Sequence, residues 1–234
     1  MKTIGIVGGI APESTVEYYR LFIAAYRAKV PDGSYPPILI NSINMTKMLD
    51  FITANELKRT TDYLLTALQS LAAAGAEIGL LASNTPHIVF DELERRSPIP
   101  LVSIVRAASA EARTRGLTRL GLLGTRSTMQ GRFYPEAFLR DGIDVLRPTP
   151  TEQDLIHDVY MNELVKGDYR PESRAALAAI IEHFKERNSL DGIILGGTEL
   201  PLLFRADSAH GLPLLDTARI HVNAVMAKAL GASP

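Results

Sequence analysis

Strand-length apolar runs recur along this 234-residue chain, separated by longer stretches of helical period, and that alternation restricts the fold more than any other feature. It is the signature of repeated βα units and a mainly parallel sheet. Candidate strands are 2–7 (KTIGIV), 37–42 (PILINS), 77–82 (EIGLLA), 100–105 (PLVSIV), 119–124 (RLGLLG), 143–147 (IDVLR), 192–196 (GIILG) and 212–216 (LPLLD). Between them the clearest helix covers 56–74, with Leu57, Leu64, Leu68 and Leu71 on one face, Asn55 as N-cap and Gly75 as stop.

The alternation is itself duplicated. "IGIVGG" (4–9) resembles "LGLLGT" (120–125), and each leads into paired aromatics, "VEYYRLF" and "GRFYPEAF". "IGLLAS" (78–83) matches "GIILGG" (192–197), and the spacing from Gly9 to Ser83 nearly equals that from Thr125 to Gly197. Two α/β lobes of similar topology are therefore expected. The first takes residues 1–100 plus a terminal helix in 217–234, and the second takes 101–216. Ligands of open parallel sheets bind beyond the carboxyl ends of the strands. If the lobes face each other, all four strand tips converge on one cleft.

Composition narrows the ligand. Apolar residues make up 46% and charged residues 22% of the chain, as in an ordinary globular protein. Lys plus Arg is 25 against 26 for Asp plus Glu, so no summed field favours nucleic acid or an anionic membrane surface. No apolar stretch approaches the length of a membrane helix, and Gly, Pro and Glu interrupt the first apolar run before a secretory core forms. A cytoplasmic protein is expected. Cys is absent, which excludes disulfides, thiolate metal sites and a Cys nucleophile. His157, His183, His210 and His221 show no metal-ligand spacing, so no metal is expected.

The four tips carry the candidate chemistry. "GGIAPEST" (8–15) is a Gly-rich turn in which Gly8 and Gly9 let the backbone approach a ligand, with Pro12 at a helix start and Ser14 close behind. It lacks the dinucleotide and P-loop patterns, and a plain strand-to-helix turn is the competing reading. In "GTRSTM" (124–129), Thr125, Ser127 and Thr128 form either a carboxylate cradle or ordinary helix caps. Ser83, Asn84 and Thr85 end the third strand, with His87 beyond them. A Ser–His hydrolase is disfavoured because the G-x-S-x-G nucleophile elbow is missing from the Leu81-Ala82-Ser83-Asn84-Thr85 run. In "GGTEL", Thr198 accompanies Glu199, which either serves as an acid or base or accepts structural hydrogen bonds. Lys47 and Lys166, read as loop residues, are further partners for a ligand carboxylate. Arg95, Arg96, Lys185 and Arg187 read as solvated helix faces.

Together "IGIVGGIAPESTVEYY", "NTPH", "LLGTRSTMQGRFY" and "LGGTELPLL" resemble the aspartate/glutamate racemase family, in order and spacing, over nearly the whole chain. The resemblance implies two flavodoxin-like lobes related by pseudo-twofold symmetry around a small amino acid, with no cofactor and a homodimer. It also implies one Cys per lobe, flanking the substrate α-carbon. At those two positions this chain has Ser83 and Gly197. A hydroxyl is a far weaker base than a thiolate and Gly has no side chain, so the two-thiol reaction cannot run. What remains is a replacement made to trap a ligand, one-sided proton chemistry (decarboxylation, elimination or epimerisation) with Glu199 or a water as acid/base, or binding of a carboxylate without turnover. Gly197 is expected to leave room for a bulkier substrate.

Overall fold

The computed structural model describes residues 1–231 and divides the chain into two compact α/β units. Met1–Ile104 and the chain from His221 onward form unit one, and Val105–Ile220 forms unit two.

Unit one starts with β1 (Ile4–Gly8), α1 (Pro12–Lys29), β2 (Ile38–Ser42), α2 (Met45–Thr53), α3 (Leu57–Ala73), β3 (Ile78–Leu81) and α4 (Phe90–Arg96). Its sheet is parallel in the order β2-β1-β3, with Ile4 opposite both Ile38 and Ile78. Every residue of β1 and β3 is buried, which is why these strands read as continuous apolar runs rather than alternating ones. Pro12 opens α1, where its missing N–H costs nothing, and Tyr18, Phe22 and Tyr26 are buried at four-residue intervals along one face. On α3, Leu64, Leu68 and Leu71 pack with Val7, Leu81 and Leu101 in the core of the unit. Each such side chain contributes about 2 kcal/mol by leaving water.

Two expectations need correction here. The run 100–105 is not a strand: Leu101 alone bridges Gly79, through hydrogen bonds from Gly79 N to Pro100 O (2.8 Å) and from Val102 N to Gly79 O (3.0 Å). Pro98 and Pro100 carry no N–H to extend a ladder, and a helix begins at Ile104. Asn55 does not cap α3. It sits at φ +56° just past the end of α2, a left-handed conformation Asn tolerates, and Glu56 takes the cap position.

Unit two contains α5 (Ile104–Thr114), β4 (Arg119–Gly124), α6 (Arg126–Gln130), α7 (Phe133–Leu139), β5 (Asp144–Leu146), α8 (Pro150–Asn162), α9 (Pro171–Asn188), β6 (Gly192–Gly196), α10 (Leu200–Phe204), β7 (Ser208–Ala209) and β8 (Leu212–Asp216); α11 (Thr217–Ala229) begins there and ends in unit one. The sheet order is β5-β4-β6-β8-β7, parallel except for the short β7–β8 pair. The block β5-β4-β6 repeats β2-β1-β3, and β8 lies beside β6 as Leu101 lies beside β3. The sequence repeat is thus a repeat of topology. α8 is started by a reciprocal capping box between Thr149 and Glu152, and it buries Ile156, Val159 and Tyr160 against the core of the unit.

Candidate functional site

In a parallel sheet all carboxyl ends lie along one edge. In unit one this gathers the turn after β1 and the residues after β3, since Val7 pairs with Leu81 and Ala82 N donates to Val7 O (2.9 Å). In unit two it gathers Gly124 and Thr125 with Gly196 and Gly197, because Gly124 pairs with Gly196.

The glycines after β1 are explained by crowding inside the unit. Gly9 sits at φ +80°, and a Cβ there would lie 2.4 Å from Ile43 O. At Gly8 a Cβ would meet Thr15 Cγ2 at 2.5 Å. The Gly9 N–H donates to Thr15 Oγ1 (2.7 Å), whose hydroxyl in turn donates to Ala11 O (3.3 Å). Thr15 therefore takes the Gly9 N–H that was expected to be offered to a ligand. Ser14 is buried in the first turn of α1. Lys47 is not on a loop but in the first turn of α2, where Asn44 caps its N–H and its ammonium lies 4.9 Å above the Tyr63 ring.

After β3, Ser83, Asn84 and Thr85 are all buried, Thr85 opening a short 3₁₀ turn that ends at Val89. His87 fixes this turn with both ring nitrogens. Nδ1–H donates to Ser83 O (3.0 Å), and Nε2 accepts from Ile104 N (3.2 Å). That pattern requires the neutral Nδ1–H tautomer, and the ring stacks on Phe90 at 4.8 Å. With Nδ1 donating to the backbone of Ser83 and Nε2 filled by Ile104, the imidazole is no base for the Ser83 hydroxyl, so the hydrolase reading fails on geometry.

The tip after β4 is a helix cap. Thr125 accepts from Thr128 N (3.2 Å), and the two hydroxyl oxygens stand 3.1 Å apart. Arg126 N donates to His157 Nδ1 (3.2 Å), and the Arg126 guanidinium pairs with Asp154 at 2.8 Å. Burial first, and then the Arg126 charge, lower the proton affinity of His157, consistent with its accepting role. Two N–H groups of the expected cradle are therefore engaged within the unit. Ser127 is half-buried beside them, whereas Lys166 is exposed, in a 3₁₀ turn rather than an open loop.

The tip after β6 departs furthest from expectation. A Cβ at Gly197 would lie 2.3 Å from Tyr160 Cε2 and 2.8 Å from the Tyr160 hydroxyl oxygen. The space expected to admit a bulkier substrate is filled by a ring delivered from α8. The Tyr160 phenol donates to Glu199 Oε2, and Thr198 Oγ1 donates to the same oxygen (3.1 Å). Tyr160, Thr198 and Glu199 are 5%, 2% and 1% exposed. Burial, reinforced by the Glu199 charge, raises the phenol well above its ordinary value, so Tyr160 holds its proton. Sequence reading missed Tyr160 because Ile156, Val159 and Tyr160 carry the spacing of an ordinary core stripe.

The family described as Asp/Glu/hydantoin racemase matches residues 7–225. The crystal structure of an aspartate racemase homologue from Pyrococcus horikoshii is 34% identical, with a TM-score of 0.83 over 98% of this chain and 100% of that one. The aspartate racemase of Picrophilus torridus shares the fold at 20% identity and a TM-score of 0.77, over 98% of this chain and 94% of that one. Among curated proteins, a glutamate racemase from Aquifex aeolicus is 26% identical over 152 residues, 62% of this chain and 56% of that protein. The chain thus spans little more than half the length of that relative.

Proposed function

The chain belongs to the Asp/Glu/hydantoin racemase family, and from that premise we propose that it is a cofactor-independent isomerase-type enzyme that moves the α-proton of a small amino acid or related carboxylate. Relatives named glutamate racemase and an aspartate racemase homologue support the substrate class. A homodimer and a cytoplasmic setting accompany that reading.

The observation that carries it is Glu199, a carboxylate buried at the end of β6 with two hydroxyl donors on one oxygen. Isolated burial of a carboxylate is costly, and such groups concentrate where acid/base chemistry is done. With no thiol in the chain, Glu199 is the strongest candidate to take the proton. In unit two the half-buried Ser127, beside the Thr125–Thr128 cap, is the hydroxyl proposed for a ligand carboxylate, and Asn84 and Thr85 after β3 and Thr198 after β6 are polar side chains at other strand ends. A Ser83 hydroxyl without an imidazole partner is too weak a base to supply a second proton-transfer group.

The test is solvent deuterium exchange at the α-carbon, read by NMR across a panel of amino acids, hydroxy acids and dicarboxylic acids. We expect exchange with at least one, lost in Glu199→Gln. Saturable binding without exchange in the whole panel would instead make the protein a carboxylate-binding module.

A further inference from the structure

We propose that Tyr160 is a catalytic residue of this site, its phenol relaying the proton between a ligand's α-carbon and Glu199. The inference rests on the reading above and assigns a role to a residue that the motifs did not single out.

Three observations on unit two lead to it. First, Glu199 and Tyr160 form one buried pair, 1% and 5% exposed, in which the phenol donates to Glu199 Oε2 beside Thr198, so a proton can reach that oxygen along the phenol. Second, the donor on that oxygen is itself an acid/base group, hydrogen-bonded in the sense a relay requires. Third, the Tyr160 ring lies where a side chain of residue 197 would be. Its hydroxyl oxygen is 2.8 Å from the position a Cβ would take, at the carboxyl end of β6 where ligands of parallel sheets bind. Gly197 is then a requirement for Tyr160 and not an empty position.

The step balances without a co-reactant. The α C–H bond breaks and its proton forms a new O–H bond on the Tyr160 oxygen. The phenol's original proton passes to Glu199 Oε2, and the electron pair stays on the α-carbon, delocalised into the ligand's carboxylate. Negative charge moves from Glu199 to the ligand, and reversal returns the proton. Because burial strongly disfavours a free phenolate here, the two transfers must be concerted.

The experiment is the same exchange assay applied to Tyr160→Phe, which keeps the ring and deletes the relay. For a substrate the wild-type protein exchanges, the rate at saturation should fall by about 100-fold or more, the usual scale of general acid–base catalysis, with the half-saturating concentration changed less than about 3-fold. Gly197→Ala should displace the ring and lower the rate as well. Gly197→Ala combined with Tyr160→Phe should be no worse than Tyr160→Phe alone, since both remove the same group. If Tyr160→Phe does not fold, 3-fluorotyrosine at position 160 keeps ring and hydroxyl while making the phenol more acidic. The rate changes if that proton moves and stays the same if the ring only fills space. Wild-type exchange that survives Tyr160→Phe or ignores fluorination overturns the relay alone; absence of wild-type exchange throughout the panel overturns the parent reading and the relay with it.

Discussion

The ends of β3 and β6 occupy equivalent places in the three-strand block that the two sheets share, yet they are built differently. Beyond β3 the chain keeps a small side chain, Ser83, and secures the turn through its backbone, with one neutral imidazole joining Ser83 O to Ile104 N. Beyond β6 it gives up the side chain at Gly197 and fills the space with the Tyr160 ring, whose hydroxyl binds Glu199. A duplicated framework does not oblige duplicated chemistry. The strands set where a tip lies, and a helix elsewhere in the unit decides what group occupies it.

The strongest challenge to this contrast is Gly197→Ala. The new methyl group would overlap the Tyr160 ring, at a cost of about 1–3 kcal/mol for overpacking. Displacing the ring would also break its bond to a buried carboxylate, adding roughly 1.5–3 kcal/mol. A loss of about 4 kcal/mol is therefore expected in urea or thermal unfolding. Pairing the substitution with Tyr160→Leu should recover part of it, since the smaller side chain removes the overlap. Wild-type stability for Gly197→Ala would mean that the ring yields freely and that the two tips are not constructed differently.

Acid should separate the units next. His221 is fully buried in unit one, its Nδ1 accepting from Tyr18 (2.9 Å) and its Nε2–H donating to Val102 O (2.9 Å). Burial pushes its pKa from 6.5 down to about 4. The unfolded chain therefore binds the proton first, and stability is lost as pH falls from 6.5 towards 4, by roughly 3 kcal/mol in all. Asp216 in unit two has the opposite sign. Burial raises its proton affinity despite the bond from Arg219 N, so lowering the pH towards its unfolded value of 3.8 favours the folded form. Amide hydrogen exchange at pH 7 and pH 4.5, corrected for intrinsic rates, should show protection lost around His221 and Val102 and retained around β8. His221→Gln should flatten that pH dependence, and equal loss in both units would refute the asymmetry.

What could be read in the sequence followed from local pattern. Buried parallel strands announce themselves as apolar runs, and Gly75, at φ +99°, ends α3 where expected. The run at 100–105 misled because its apolar content is that of a strand while its prolines withhold the N–H groups a ladder needs. At the candidate site the tip residues were legible because they sit at strand ends, but their partners were not. Thr15 reaching Gly9, His87 reaching Ile104 and Tyr160 reaching Gly197 are contacts between different elements, and the last spans a helix and a strand far apart in sequence. Each of those side chains also fits a plain core or cap pattern, so periodicity alone could not promote it.

Ser83→Ala should have the smallest effect and tests the other half of the comparison. The contribution of residue 83 to its turn is the carbonyl that accepts from His87 Nδ1, and alanine supplies the same carbonyl. Among the described residues the hydroxyl takes part in no hydrogen bond given by the geometry, so its removal should change stability by no more than about 0.5 kcal/mol. Because a lone hydroxyl is a poor base, exchange at the α-carbon should also stay within a few-fold of wild type, in contrast to Glu199→Gln. A large loss of exchange with unchanged stability would show that the β3 tip carries proton chemistry through its side chain after all, and the chemical asymmetry drawn between the two strand ends would have to be withdrawn.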